Sequence, residues 1–284
     1  MPAQQPQSPG EHVEVLEMNE AYEEVDGSFT FAGTLVVYRT GSDLHHAITK
    51  TRYLSLSDVQ VERLDNDVVI PLSAYSPLFP PEFTRAPDPL PPNSHIKRPR
   101  LISYDQICKG SQLNHIAESV LLEAAVCELL KQHPHPNVAT YLGCQVANGR
   151  IGGLCFVGYQ LTLMQEVNPG GLMKRKLRSD RQRTKDYSRV LAGIESGIKH
   201  LHGLGLVHND INPSNIMLGY GGGEAVIIDF GSCTRVGESL EGAGRTYEWY
   251  DEQVETALPQ NDLDALKEIR IWLGDDSGPF QFDE

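Results

Sequence analysis

The run His208-Asn209-Asp210-Ile211-Asn212-Pro213-Ser214-Asn215, followed by Ile228-Asp229-Phe230-Gly231, holds the side chains best suited to chemistry. It offers a carboxylate at Asp210, an amide at Asn215 and a second carboxylate at Asp229. Hard oxygen donors suit metal-bound phosphate, and a positioned carboxylate can orient a hydroxyl nucleophile and take its proton. The reaction this set points to is phosphoryl transfer, in which a protein mainly holds reactants in line and neutralises charge.

The elements around these residues have to deliver them. A short apolar stretch, Ala225-Val226-Ile227-Ile228, reads as a strand leading into Asp229. Val190, Leu191, Ile194, Ile198 and Leu201 recur at helical spacing and predict a helix over Tyr187–Leu204 that brings the chain to His208. Ile116, Val120, Leu121, Ala124, Cys127 and Leu130 predict another over Gln112–Gln132, stopped by His133-Pro-His-Pro-Asn137. A strand pair, Val138–Val146 and Arg150–Tyr159, turns at Asn148-Gly149. A last helix spans Asn261–Leu273, carrying Leu263, Leu266, Ile269 and Trp272. Before all of these, Thr34–Tyr38, Tyr53–Leu56, Val59–Arg63 and Val68–Ile70 read as strands, and the proline-rich Pro71–Pro92 as loop.

The chain has 284 residues, 40% hydrophobic and 22% charged, an ordinary globular composition. A net charge of -14 argues against general nucleic-acid binding, which needs basic surface. Five scattered cysteines with no C-x-x-C pair favour reduced thiols over a disulfide framework or a zinc site. No apolar run approaches the roughly 20 residues of a membrane span, and the start lacks a signal-peptide pattern. The expected location is intracellular, cytoplasmic or nuclear.

The two motifs, in this order, resemble the catalytic loop His-Arg-Asp-x-x-x-x-Asn and the metal loop Asp-Phe-Gly of the protein kinase superfamily. The resemblance covers roughly Ile96 to Leu273. The flavour of His-Pro-His-Pro-Asn and Tyr-Leu-Gly-Cys is similar to compact protein-kinase-like domains abundant in fungal genomes. It implies an α+β, two-lobed fold that uses ATP and Mg2+. Residues 1–27, acidic and without Lys or Arg, read as a disordered leader, 28–158 as a strand-rich N-lobe, and 159–284 as a helical, shortened C-lobe. By resemblance, Asp210 is the catalytic aspartate, and Asn215 and Asp229 hold magnesium. Lys97, in Ser94-His95-Ile96-Lys97, would hold the α- and β-phosphates, with Glu123 holding Lys97 in turn. Glu128 lies nearer the helix end. Backbone groups of Gly158 and Gln160 would face the adenine, and Met217 would floor its pocket. Asp262 would tie down the catalytic-loop backbone, and Thr246 would face that loop.

Plainer readings stand beside these. Lys97 could be one solvated member of Lys97-Arg98-Pro99-Arg100, Glu123 an exposed helix residue, Met217 core filling and Asp262 a helix N-terminal charge. The basic run Lys174-Arg175-Lys176, continuing to Arg178, Arg181, Arg183 and Lys185, reads as a solvated face, or as docking for an acidic partner.

Four departures from the family pattern bear on activity. No glycine occurs between Gly41 and Gly110, so the glycine-rich phosphate loop is missing ahead of Lys97. Asn209 replaces the arginine beside the catalytic aspartate, Asn212 replaces a lysine that touches the transferring phosphate, and the chain stops soon after Trp272. The expected function is transfer of the ATP γ-phosphate to a protein hydroxyl, serine or threonine before tyrosine. A pseudokinase that signals by contact with a partner is the alternative. A small-molecule kinase of the aminoglycoside or choline type is a further one.

Overall fold

The computed structural model describes residues 13–110, 113–180, 185–219, 224–274 and 278–282. The chain divides into two compact units, Met1–Leu78 with Arg98–Val120, and Phe79–Lys97 with Leu121–Glu284.

In the first unit, β1 (Val13–Val25), β2 (Ser28–Thr40), β3 (Asp43–Thr49) and β4 (Asp65–Ile70) form an antiparallel meander in sequence order. The short helices α1 (Leu72–Tyr75) and α2 (Tyr104–Lys109) complete it. Side chains alternate across a strand, so Leu35 and Val37 of β2 join Leu44, Ile70, Leu101 and Tyr104, while Val36 and Tyr38 join Ala47 on the other face. A strand covered on both faces reads as an unbroken apolar run, which is why Thr34–Tyr38 stood out.

The acidic composition up to residue 27 is misleading for Val13–Val25, which form β1; residues 1–12 lie outside the described residues. Val15 and Met18 pack on one face and Leu16 on the other, and Glu17 accepts the N–H groups of Leu101 (2.9 Å) and Ile102 (3.2 Å). Two expected strands are corrected. Leu54 is 98% exposed, and Leu56–Asp58 is a single 3-10 turn opened by a reciprocal Ser55–Asp58 cap. Val61–Arg63 is a second such turn. β3 carries no clear strand signal in the sequence because its polar histidines interrupt the apolar pattern; His46 is nevertheless buried, its Nε2 2.9 Å from the Ile102 carbonyl.

Helix α3 (His115–Gln132) belongs to the second unit from Leu121 onward; Gln112, the expected start, lies outside the described residues. In the second unit β5 (Ser94–Lys97), β6 (Tyr141–Ala147) and β7 (Arg150–Val157) form an antiparallel sheet in the order β5-β7-β6, turning at Asn148-Gly149. The proline-rich segment runs beside β6, where Cys144 and the stretch Thr84–Ala86 exchange backbone bonds of 2.8 Å. Cys127, Cys144 and Cys233 are free thiols, and burial pushes Cys144 up to about 11, so it stays protonated.

The chain leaves this sheet through β8 (Leu161–Thr162) into α4 (Leu163–Val167), started by a reciprocal Thr162–Gln165 cap. Then come α5 (Lys174–Asp180), α6 (Ser188–Gly203), β9 (Leu206–Val207), β10 (Ile216–Leu218), β11 (Ala225–Ile227), β12 (Thr234–Arg235) and α7 (Pro259–Leu273). Strand β10 pairs with both β8 and β11, and β9 with β12. Helix α7 has Pro259 in its first turn and left-handed Gly274 after its last, so both ends are marked in the sequence.

Asn137, expected only to stop α3, also fixes β11. Its Nδ2 donates to Ala225 O at 2.8 Å and its carbonyl accepts Ile227 N at 2.9 Å. Gly197 of α6 permits this approach, since a Cβ there would stand 2.8 Å from Asn137 O.

Candidate active site

Helix α6 buries Val190, Leu191, Ile194, Ile198 and Leu201, and β9 then delivers His208. Asp262, fully buried in the first turn of α7, accepts His208 N at 2.9 Å and Asn209 N at 2.8 Å, and lies 2.9 Å from His202 Nε2. It therefore holds the loop backbone, a larger part than a helix-end charge. Asn209 (φ 63) and Asp229 (φ 66) both take the left-handed conformation that non-glycine residues seldom adopt. Such strain persists only where the surroundings over-determine it, as at functional sites.

Lys97 ends β5 with its ammonium between two carboxylates. Its Nζ lies 2.7 and 2.8 Å from the Glu123 oxygens and 2.7 Å from Asp229 Oδ1. Glu123 also accepts Phe230 N at 3.1 Å, and the buried Phe230 ring stands edge-on to His208, 5.9 Å away. Glu128, one turn further along this helix, is taken by Thr84 N (2.7 Å) and Oγ1 (2.8 Å). The solvated readings of Lys97 and Glu123 do not survive these contacts. Burial works against the Lys97 charge, but Glu123 and Asp229 outweigh it and raise its pKa above the ordinary lysine value. Burial also raises Glu123, which Lys97 only partly offsets. Burial pushes Asp229 the same way, yet the Lys97 ammonium overrides it and holds that carboxyl below the usual range.

A second cluster centres on Asp210. Its Oδ1 accepts Thr246 N (2.8 Å) and Asn212 Nδ2 (3.0 Å), and its Oδ2 accepts Asn215 Nδ2 (2.7 Å). Thr246 thus faces the loop as expected. Burial raises the Asp210 pKa, with the Thr246 N–H opposing it. The β10–β11 hairpin joins the clusters, because Ile228 N donates to Asn215 O at 3.0 Å just before Asp229.

Lys97, Gly158, Met217 and Asp229 share a cavity of about 470 Å³. Two of the expected residues stand at its rim in different ways. The Gly158 N–H is committed to Asn93 O at 2.7 Å, and a Cβ there would lie 2.2 Å from that oxygen, so this glycine packs closely on Asn93 while still lining the cavity. Gln160 is exposed beyond the lining, whereas Val157 and Tyr159 are part of it, because the chain leaves the sheet at Val157.

Residues 97–256 match the model of the protein kinase domain. The chain belongs to the protein kinase family. The α+β, two-lobed class is therefore that of kinases. Among similar proteins, the Caenorhabditis elegans mitogen-activated protein kinase kinase kinase nsy-1 is 30% identical over 137 residues, 48% of this chain and 8% of that protein. Mouse serine/threonine-protein kinase Nek5 is 31% identical over 118 residues, 40% of this chain and 17% of its own length. Serine/threonine-protein kinase sid1 of Schizosaccharomyces pombe is 30% identical over 100 residues, 35% of this chain and 19% of that protein. The chain spans less than a fifth of each of these relatives.

Some residues of this kinase domain gave no sequence signal. Asn93, in irregular chain ahead of β5, carries no periodicity to mark it. Lys174 sits in a run of cations and reads as solvated, yet it is buried against Glu268 (2.6 Å) and under the rings of Trp249 (4.6 Å) and Phe280 (4.5 Å). Arg175 and Lys176 are exposed, and Arg181 and Arg183 lie outside the described residues. Lys174 could be found only from what surrounds it.

Proposed function

We propose that this chain is an ATP- and magnesium-dependent protein kinase acting on serine or threonine hydroxyls. The observation that carries the reading is the Lys97 ammonium held within 2.8 Å of both Glu123 and Asp229. A cation so held, at the wall of the cavity, is placed to meet phosphate oxygens. The cavity's volume of about 470 Å³ fits a nucleotide. Val157 and Tyr159 would flank the base, with Met217 beneath it. Asp229 offers a carboxylate, and Asn215, whose Nδ2 is turned to Asp210, offers its Oδ1. Two hard oxygen donors suit magnesium, which keeps waters and takes phosphate as ligand. Among the described residues no group of three His, Cys, Asp or Glu side chains forms a metal cage. When bound, the ion would supply charge neutralisation at the phosphates. Asp210 would receive the acceptor hydroxyl, oriented by Asn215 and Thr246.

The lobe boundary belongs near residue 158, where the chain leaves β7. Among the described residues no helix is long and apolar enough to cross a membrane. The relatives named serine/threonine-protein kinases support the acceptor class.

A second reading, a pseudokinase that signals by contact, is favoured by Asn212, which brings an amide where a cation would stabilise transfer, and by the glycine-free stretch before Lys97. Incubating the full chain with labelled ATP, magnesium and a serine/threonine peptide library separates the two. Transfer abolished by Asp210→Ala is the expected result. ATP binding with no transfer to any peptide would leave the pseudokinase reading in its place.

A further inference from the structure

We propose that Asn209 is a positioning residue: its side-chain amide latches the segment Ser232–Thr246 onto the catalytic loop. Its Nδ2 lies within hydrogen-bond distance of Val207 O (3.0 Å), Ser232 O (3.0 Å) and Thr234 Oγ1 (2.9 Å), which share its two hydrogens, and its Oδ1 accepts Asn261 Nδ2 (3.2 Å) from the first turn of α7. The residue is buried, and every one of these partners is uncharged. Asparagine meets both demands of the place. It tolerates the left-handed backbone, and its amide donates and accepts at once.

The latch reaches the reacting carboxylate through the segment it holds. Ser232 Oγ donates to Gly244 O, and two residues further Thr246 N donates to Asp210 Oδ1 at 2.8 Å. Asn212 closes the same circuit, its Nδ2 3.1 Å from Thr246 Oγ1. The segment is thus fastened to the loop at both ends, at Ser232 and Thr234 by Asn209 and at Thr246 by Asp210. Neutral hydrogen bonds suffice for the fastening, so no phosphate need be added to order it.

The inference rests on the proposed kinase reading for its rate consequence only; the latch itself is testable without catalysis. Amide hydrogen exchange is measured on the full chain, before and after a broad-specificity phosphatase, for wild type, Asn209→Gly, Thr234→Val and Thr234→Ser. Asn209→Gly keeps the left-handed backbone and removes the amide. Thr234→Val removes one acceptor without touching the loop, which keeps the test alive should the glycine variant fail to fold. Wild type should protect Ser232–Thr246 equally before and after phosphatase. Thr234→Val should exchange there about fivefold faster, as the loss of one hydrogen bond implies, with β5–β7 unchanged and Thr234→Ser restored. In the transfer assay kcat should fall at unchanged KM for ATP. Loss of wild-type protection on phosphatase treatment, unaltered exchange in Asn209→Gly and Thr234→Val, or a rise in KM at constant kcat would each overturn the latch. Absence of transfer in wild type would remove the kinase reading and leave the exchange result to decide the latch alone.

Discussion

Asp210 is surrounded by amides and backbone N–H groups where a cation would lower the cost of its charge. Asn212 and Asn215 donate to it, and burial raises its pKa. If Asp210 must be ionised to receive a hydroxyl proton, activity falls as pH drops through that raised value, so the acid limb of the kcat profile begins above the ordinary carboxylate range. Asn212→Lys would place an ammonium beside the carboxylate, favour its charged form and move the acid limb to lower pH. It should also raise kcat roughly tenfold, which is about 1.4 kcal/mol of transition-state stabilisation. The same change removes the Asn212 Oδ1 bond to Ser214 N and should cost about 1 kcal/mol of stability. A kcat–pH profile with a parallel urea titration checks both, and an acid limb that does not move would show that another group governs it.

Elements hold these residues through a few buried polar contacts. Lys174 of α5 and Glu268 of α7 are 2% and 0% exposed in their side chains, and Glu268 also accepts Gln281 N at 2.7 Å. A buried pair is weak support for stability as a pair, but breaking it strands a charge. Lys174→Met should therefore destabilise by about 3–5 kcal/mol, while adding Glu268→Gln should return at least about 2 kcal/mol. Urea midpoints for both single variants and the double variant complete the cycle. A purely additive result would mean the two charges are not coupled. Helix α6 provides the second test of this scale. Gly197→Ala forces a methyl against Asn137 O and the Ile227 side chain and should cost about 1–3 kcal/mol, read from the thermal midpoint. Since Asn137 carries β11, the same variant should speed hydrogen exchange at Ala225–Ile227.

Across the whole molecule, the cavity and both carboxylate clusters lie within the unit made of Phe79–Lys97 and Leu121–Glu284, and β1–β4 fall outside the residues matched to the kinase family. Ligand binding to the native state alone raises stability by mass action. ATP with magnesium at about 100 times its dissociation constant should add about 2.7 kcal/mol, seen as a rise in the melting midpoint. Asp229→Ala should abolish that rise by removing a carboxylate proposed to hold the magnesium. A midpoint unmoved by nucleotide in wild type would count against every reading that binds ATP.

The sequence by itself determined which chemistry was possible: Asp210, Asn215 and Asp229 are marked by type and spacing, and helices α3, α6 and α7 by periodicity, because local order writes itself at 3.6-residue intervals. It also pointed to Lys97, Glu123, Asp262 and Thr246, since motif order places them. Only the tertiary structure decided which atoms meet. That Gly158 gives its N–H to Asn93, that Lys174 is buried, that acidic Val13–Val25 becomes a strand and that Asn209 binds Thr234 all depend on partners distant in the chain. Burial and pairing energies act between such partners, and no local pattern of residues encodes a distance.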